Sequence, residues 1–276
     1  MSDKNAASKW RQQFQIREDQ KVSYRNFRPD STPGLDGKEE ALALLNKNIP
    51  KINDLQERLY AEGKQALLVV LQAMDTGGKD GTIRAVFGPL NPQGVHVSNF
   101  KAPCGRELTH DYLWRVHQAV PAKGMIGIFN RSHYEDVLIA KVRELAPKND
   151  IQQRYRQIND FEAYLGENHV RVIKFHLCIS KDEQRERLLS RLQTTEKNWK
   201  FSRGDLAERA LWDDYENAYE RVLKRCSPAN APWYVIPANK KWYRNAVVSQ
   251  IILDTLRDMK PQFPAAEADL DQVVID

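Results

Sequence analysis

Hydrophobic residues recur along this chain in two rhythms, one helical and one extended. Between residues 38 and 62, Leu42, Leu44, Leu45, Ile49, Ile52, Leu55 and Leu59 fall at helical spacing, and Pro50 is expected to kink or break that helix. Residues 66–71 are all apolar, the pattern of a short strand buried on both faces. Glycine-rich positions follow, with a helix expected to start over 82–87. Strands are then expected at 95–100, 124–129, 170–179 and 233–236. Helices are expected over 107–120, 134–145, 151–165, 182–192, 206–225 and 242–259. Pro121, Pro147 and Gly166 stand where three of those helices should close.

Strands alternating with helices specify an α/β protein with a doubly wound, mostly parallel five-stranded sheet between two helical layers. Residues 1–37 are polar and rich in turns, and read as an extended arm wrapped on the surface. Residues 38–264 are expected to form one domain, and 265–276 an acidic tail. Open sheets of this kind bind ligands beyond the carboxyl ends of their strands. Function is therefore expected just after Leu71, Phe100, Phe129 and Ile179.

Composition narrows the setting. The 42 basic and 37 acidic side chains give a formal charge of +5, a modest excess that suits a polyanionic partner without choosing one. No apolar run approaches the roughly 18 residues of a membrane span. The first residues, MSDKNAASKW, carry no apolar signal-peptide core. Cys104, Cys178 and Cys226 are widely spaced, with neither metal-ligand nor disulfide spacing, so a reducing cytoplasm is expected.

Candidate chemistry sits where the strand rule points. After the first strand comes Ala73-Met-Asp75-Thr-Gly77-Gly78-Lys79-Asp80-Gly81-Thr82, close to the P-loop (Walker A) pattern G-x-x-x-x-G-K-[ST]. Glycines let backbone N–H groups converge on phosphate oxygens, and the lysine neutralises charge. Ala73 stands in place of the first glycine, and Asp80 in place of the hydroxyl that binds Mg²⁺. Mg²⁺ takes one or two carboxylates plus waters, so Asp75 is expected to serve the metal, and Asp80 either the metal or the helix cap. After the third strand comes Asn130-Arg131-Ser132-His133-Tyr134-Glu135-Asp136. The acid that commonly ends such a strand is absent, and Glu135 or Asp136 can replace it. Arg131 is placed to grip a transferring phosphoryl group, and His133 reads as a packing or surface residue.

Two basic clusters extend the same edge. Lys101 and Arg106 follow the second strand; Trp114 reads as core, and Arg115 as facing the cleft or paired with Asp111. Arg187, Arg191, Lys197, Lys200 and Arg203 follow the fourth strand. A solvated helix face explains Arg187 well, but the loop Lys197-Asn-Trp199-Lys200-Phe-Ser-Arg203 less well, and a basic lid that closes over phosphates is the alternative.

Taken together, the residues resemble the polyphosphate kinase type 2 family, and its class III members most closely. Asp75 to Gly81, Phe129-Asn130-Arg131-Ser132-His133-Tyr134 with Glu135-Asp136, and Lys197-Asn198-Trp199-Lys200-Phe201 carry the resemblance, which spans about 38–264. It implies a P-loop kinase-like catalytic domain over 38–264 with a helical lid over about 182–206. The implied reaction moves the terminal phosphoryl group of polyphosphate to adenine or guanine nucleotides, AMP to ADP and ADP to ATP, with Mg²⁺ or Mn²⁺. By the same resemblance Asp75 and Glu135 serve the metal and Lys79 holds phosphate. Arg131 stabilises the transferring group, Asn130 and Glu135 position the acceptor, and Gly77, Gly78, Asp80, Gly81 and Thr82 form the phosphate loop. Lys101, Arg106, Lys197, Lys200 and Arg203 line the polyphosphate path. A homodimer or homotetramer is implied, with no membrane or nucleic-acid partner. The alternatives are an ATP-dependent nucleoside monophosphate kinase, which normally has Ser or Thr at position 80, and a non-catalytic polyanion-binding protein.

Overall fold

β1 (Ala66–Gln72), β2 (Val95–Asn99), β3 (Ile126–Asn130), β4 (Val170–Cys178) and β5 (Trp233–Pro237) form one parallel sheet in the order β2-β3-β1-β4-β5. The computed structural model describes residues 10–18, 20–268, 270, 273 and 275. Every residue of β1 is buried, as its unbroken apolar run requires. The chain leaves β1 toward β2 at one edge, and leaves β3 across β1 toward β4. That reversal opens a crevice at the carboxyl ends of β1 and β3, where open α/β sheets bind ligands. The expected α/β fold with a five-stranded sheet is borne out.

The helices flanking the sheet include α1 (Lys38–Glu62), α2 (Lys79–Thr82), α3 (Trp114–Gln118), α4 (Ile139–Val142) and α5 (Lys148–Glu167). They continue with α6 (Lys181–Gln193), α7 (Arg203–Ala210), α8 (Trp212–Arg225) and α9 (Lys241–Met259). Pro50 neither breaks nor ends α1, which runs through it. Pro50 and Asn46, whose carbonyl loses its partner, both lie on the exposed side, where water can serve that carbonyl. On the opposite side Asn48 donates to Ser249 Oγ at 3.1 Å and to Gln250 Oε1 at 3.0 Å, fastening α1 to α9.

Four helices differ from the periodicity. The helix expected from 82 starts at Lys79 and widens into a π turn over Ile83–Phe87. The helix expected over 107–120 divides into a 3₁₀ turn, Gly105–Thr109, and α3. Asp111 Oδ1 accepts from the Leu113 amide at 2.9 Å, a local bond that competes with the helix ladder. The helix expected over 134–145 shrinks to a 3₁₀ turn, His133–Asp136, and α4. His133 and Tyr134 are consecutive yet both fully buried, which draws this segment off a helical path. The helix expected over 206–225 breaks at Leu211, between α7 and α8.

Trp114 is half-buried rather than core, stacked on His110 at 4.0 Å between ring centroids. Arg115 pairs with neither the cleft nor Asp111; it donates to the Lys101 carbonyl at 2.8 Å and pairs with Glu107. His133 is a buried packing residue, as its sequence context indicates. The amino-terminal arm contributes to the core. Trp10, Phe14, Ile16, Val22, Tyr24 and Leu35 are buried, and Gln15 bridges antiparallel to Tyr234 beside β5. Residues 1–9 of that arm lie outside the described residues. Among the described residues no helix is long and apolar enough to cross a membrane.

Candidate active site

The loop between β1 and α2 is held by side-chain bonds to its carbonyls. Gln184 Nε2 donates to the Asp75 carbonyl at 3.0 Å, Arg187 Nη1 to the Thr76 carbonyl at 2.9 Å, and Lys79 Nζ to the Ala73 carbonyl at 3.0 Å. Gly78 takes a φ of +100°, and a methyl group there would lie 1.8 Å from Arg244 Nη1. Only glycine meets both demands. Thr76 has a φ of 63°, an uncommon conformation for a β-branched residue and one that neighbouring structure must enforce.

β3 delivers the second group of residues. Its register sets Asn130 beside Leu71 of β1 and Asn99 of β2. Asn130 Nδ2 donates to Asp80 Oδ1 at 2.9 Å and to Asn99 Oδ1 at 2.8 Å. Arg131 follows with a φ of 61°, its amide bonded to the Leu71 carbonyl, and its Nη2 donates to Asp75 Oδ1 at 3.0 Å. Glu135 lies on the succeeding turn, which Ser132 starts by accepting from the Tyr134 amide at 3.1 Å.

Charges in this cluster tune one another. Burial pulls the Lys79 ammonium below its ordinary pKa, with Arg131 adding to the fall and Asp75, Glu135 and Asp80 opposing it. Burial raises the Glu135 carboxyl against the pull of Arg131 and Lys79. For Arg131 burial acts downward, but Glu135 and Asp75 outweigh it and hold the guanidinium above its usual value. Burial, then Arg187, lowers Arg244, which is 2% exposed and whose guanidinium donates to the Asn245 side chain. Arg187 and Arg244 thus bring two guanidinium groups to Gly78, an arrangement suited to an anion.

Two cavities meet at Asp75, Arg131 and Asp205. The larger, about 690 Å³, is lined by Asp75, Gly77, Gly78, Lys79, Asp80, Gly81, Lys101, Asn130, Arg131, Lys197 and Lys200 from the sequence reading. The smaller, about 220 Å³, adds Glu135 and is walled by Met74, Leu138, Ile139, Trp212, Tyr215 and Tyr219. Three expected residues line neither. Thr82 is fully buried, its hydroxyl donating to the Gly78 carbonyl at 3.1 Å. Arg106 is exposed over the Trp114 ring, and Arg203 is exposed at the start of α7.

The structure also adds residues to the wall. Asn99, Asp205, Lys241 and Arg244 line the larger cavity, together with Arg187 and Arg191 of the basic cluster named from the sequence. Arg187 is not a solvated helix residue. Its guanidinium reaches the carbonyls of Thr76, Ala238 and Asn239 and pairs with Glu183. Lys241 and Arg244 follow β5, the one strand end to which the carboxyl-edge rule was not extended.

Carboxylates bearing on a divalent cation lie around the junction: Asp75 and Asp205 in both cavities, Asp80 in the larger, and Glu135 and Glu208 in the smaller. Among the described residues no group of three acidic, histidine or cysteine side chains is close enough to hold a metal by itself. Mg²⁺ bound with phosphate needs only one or two protein carboxylates, the rest of its shell being water and substrate oxygen, so this donor set fits it.

Residues 36–264 match the family model described as Polyphosphate kinase 2 (PPK2). The chain belongs to the polyphosphate kinase 2 family. Within the similarity around that family, the chain is 51% identical over 267 residues to the AMP/ADP-polyphosphate phosphotransferase of Meiothermus ruber, covering 95% of this chain and 99% of that one. It is 43% identical to the ADP-polyphosphate phosphotransferase of Rhodopseudomonas palustris, over 91% of each chain. The crystal structure of Polyphosphate Kinase 2 from Arthrobacter aurescens superposes with a TM-score of 0.90 at 46% identity, covering 93% of both chains.

Proposed function

We propose that this polyphosphate kinase 2 family member transfers the terminal phosphoryl group of inorganic polyphosphate to nucleoside mono- and diphosphates, AMP to ADP and ADP to ATP. The observation that carries the proposal is the pair of cavities joined at Asp75, Arg131 and Asp205, one rich in basic side chains and one pairing an aromatic and aliphatic wall with carboxylates. The basic cavity suits a chain of phosphates. The smaller one offers Leu138, Ile139, Trp212 and Tyr215 to the flat faces of a nucleoside and Asp205 and Glu208 to its polar groups, with the phosphate reaching back to the junction. The names of the relatives from Meiothermus ruber and Rhodopseudomonas palustris support the same donor and acceptors.

The chemistry asks for alignment and charge neutralisation more than for bond-making groups. An acceptor phosphate oxygen attacks the terminal phosphorus of polyphosphate, and the bond to the bridging oxygen of the donor breaks. The attacking oxygen is already anionic near neutral pH, so no side chain has to remove a proton. Lys79 and the loop amides hold the donor end, and Arg131 spreads charge from the group in transit. Arg187, Lys241 and Arg244 offset the charge of the phosphates behind it. Asp75 and Glu135 would hold Mg²⁺, or Mn²⁺ in its place. The ion, when bound, screens the repulsion between two anionic substrates. Adenine and guanine nucleotides are both taken as acceptors.

Lys197 and Lys200 line the larger cavity and not the smaller one. The Lys197→Ala/Lys200→Ala variant is expected to raise the KM for polyphosphate about tenfold, at up to roughly 1 kcal/mol per exposed charge. The KM for AMP stays as it is. Steady-state kinetics with each substrate varied in turn measures this. An unchanged polyphosphate KM, or an equal rise for AMP, would remove the lid from the donor path.

A further inference from the structure

An ordinary P-loop places a hydroxyl after the loop lysine and an aspartate at the end of the neighbouring strand, both turned on Mg²⁺. In this chain Asp80 holds the first place and Asn130 lies at the second. In the sequence these are two separate departures. In the structure they touch, with Asn130 Nδ2 donating to Asp80 Oδ1 at 2.9 Å. An ionised carboxylate can only accept, so the amide must turn its NH₂ toward Asp80. Its second proton goes to Asn99 Oδ1 at 2.8 Å. The Asn130 carbonyl oxygen is then the polar atom of that side chain not engaged by either neighbour, and Asn130 lies in the cavity wall.

We propose that Asp80 and Asn130 are one compensated exchange, in which the loop carries the charge and the strand end carries the neutral oxygen, and that Asn99 is the positioning residue that fixes which way the Asn130 amide faces. The exchange keeps one negative charge at this spot beside Lys79 and Arg131. A carboxylate at position 130 alone would set two negative charges at hydrogen-bond distance, which is destabilising. A hydroxyl at position 80 alone would remove the charge that orients the amide. The consequence for turnover rests on the phosphoryl-transfer reading above; the consequence for stability does not.

The test is a double-mutant cycle on the full chain: the unaltered protein, Asp80→Ser, Asn130→Asp and the two combined. Tm is read without metal or nucleotide, and turnover with polyphosphate and AMP. Asn130→Asp is expected to lower Tm and to slow turnover about tenfold or more, with the combined variant recovering most of both, a coupling of the size seen between residues in contact. Effects that simply multiply in turnover and add in Tm would overturn the exchange. Should the serine variant fold poorly, Asp80→Asn with Asn130→Asp gives the same cycle with isosteric side chains. For Asn99, Asn99→Ala is expected to slow turnover several-fold in the unaltered chain and to add nothing to Asn130→Ala. An equal slowing in both backgrounds would remove the positioning role. If the unaltered chain transferred nothing from polyphosphate, the functional reading would fall, while the Tm cycle would still decide the exchange.

Discussion

Lys79→Ala is expected to lose polyphosphate-dependent turnover by about a thousandfold, the upper range for removing one preorganised charge-stabilising donor. The side chain is 9% exposed, donates to the Ala73 carbonyl at 3.0 Å, and lies among Arg131, Asp75, Glu135 and Asp80. No solvated cation can replace it, because its position is fixed by the loop that also presents the backbone amides. The fold should survive, since burial already disfavours the ammonium and its removal leaves a single carbonyl unpaired. Steady-state kinetics together with the far-UV spectrum and Tm separate the two effects. A rate near that of the unaltered chain would sink the loop assignment. A lost fold would make the residue structural.

The second large effect is on stability. Lys174 and Glu162 are fully buried and paired, and Lys174 also donates to Tyr134 Oη at 2.9 Å and to the Cys226 carbonyl at 2.8 Å. Glu162 further accepts from Tyr134 at 2.9 Å and contacts His133 at 3.2 Å. Lys174→Met therefore leaves a buried carboxylate without its cation. The expected cost is about 3–5 kcal/mol, because breaking a buried pair strands the remaining charge. For a domain of this size that corresponds to a fall in Tm of about 10 °C. Lys174→Met combined with Glu162→Leu should recover much of the loss, since no buried charge is then left over. Equal Tm values for Lys174→Met and the unaltered chain would contradict the account. The pair bears on function because His133 and Tyr134 belong to the turn between Arg131 and Glu135, and the network anchors that turn in the core.

Elements whose own pattern settles their environment were legible in the sequence. β1 announces itself by six consecutive apolar residues, and the phosphate loop by Gly77, Gly78 and Lys79 directly after it. The short helices were not, because side chains and local bonds decide them. Asp111 bonds to the Leu113 amide and cuts one helix; His133 and Tyr134 turn inward together and shorten another. Pro50 signalled a break that did not occur, since the carbonyl it frees lies on an exposed residue. In the site, Lys197 and Lys200, which line the larger cavity, could be read from the charge density of their segment. Arg187 could not, because periodicity places it on a charged helix and only the tertiary fold brings the Thr76, Ala238 and Asn239 carbonyls to it. Lys241 and Arg244 were within reach of the strand-end rule, one strand further along. Arg106 and Arg203 show the limit of counting charge by segment: both have the sign the donor needs, and neither lines the cavity.

The most direct measurement is one incubation of the purified chain with Mg²⁺, AMP and polyphosphate, without ATP, with the nucleotides separated by chromatography. The account predicts ADP first and ATP after it, and neither product when the metal is chelated. No product from polyphosphate, with ADP formed once ATP is supplied as donor, would contradict it and make the chain an ordinary nucleoside monophosphate kinase.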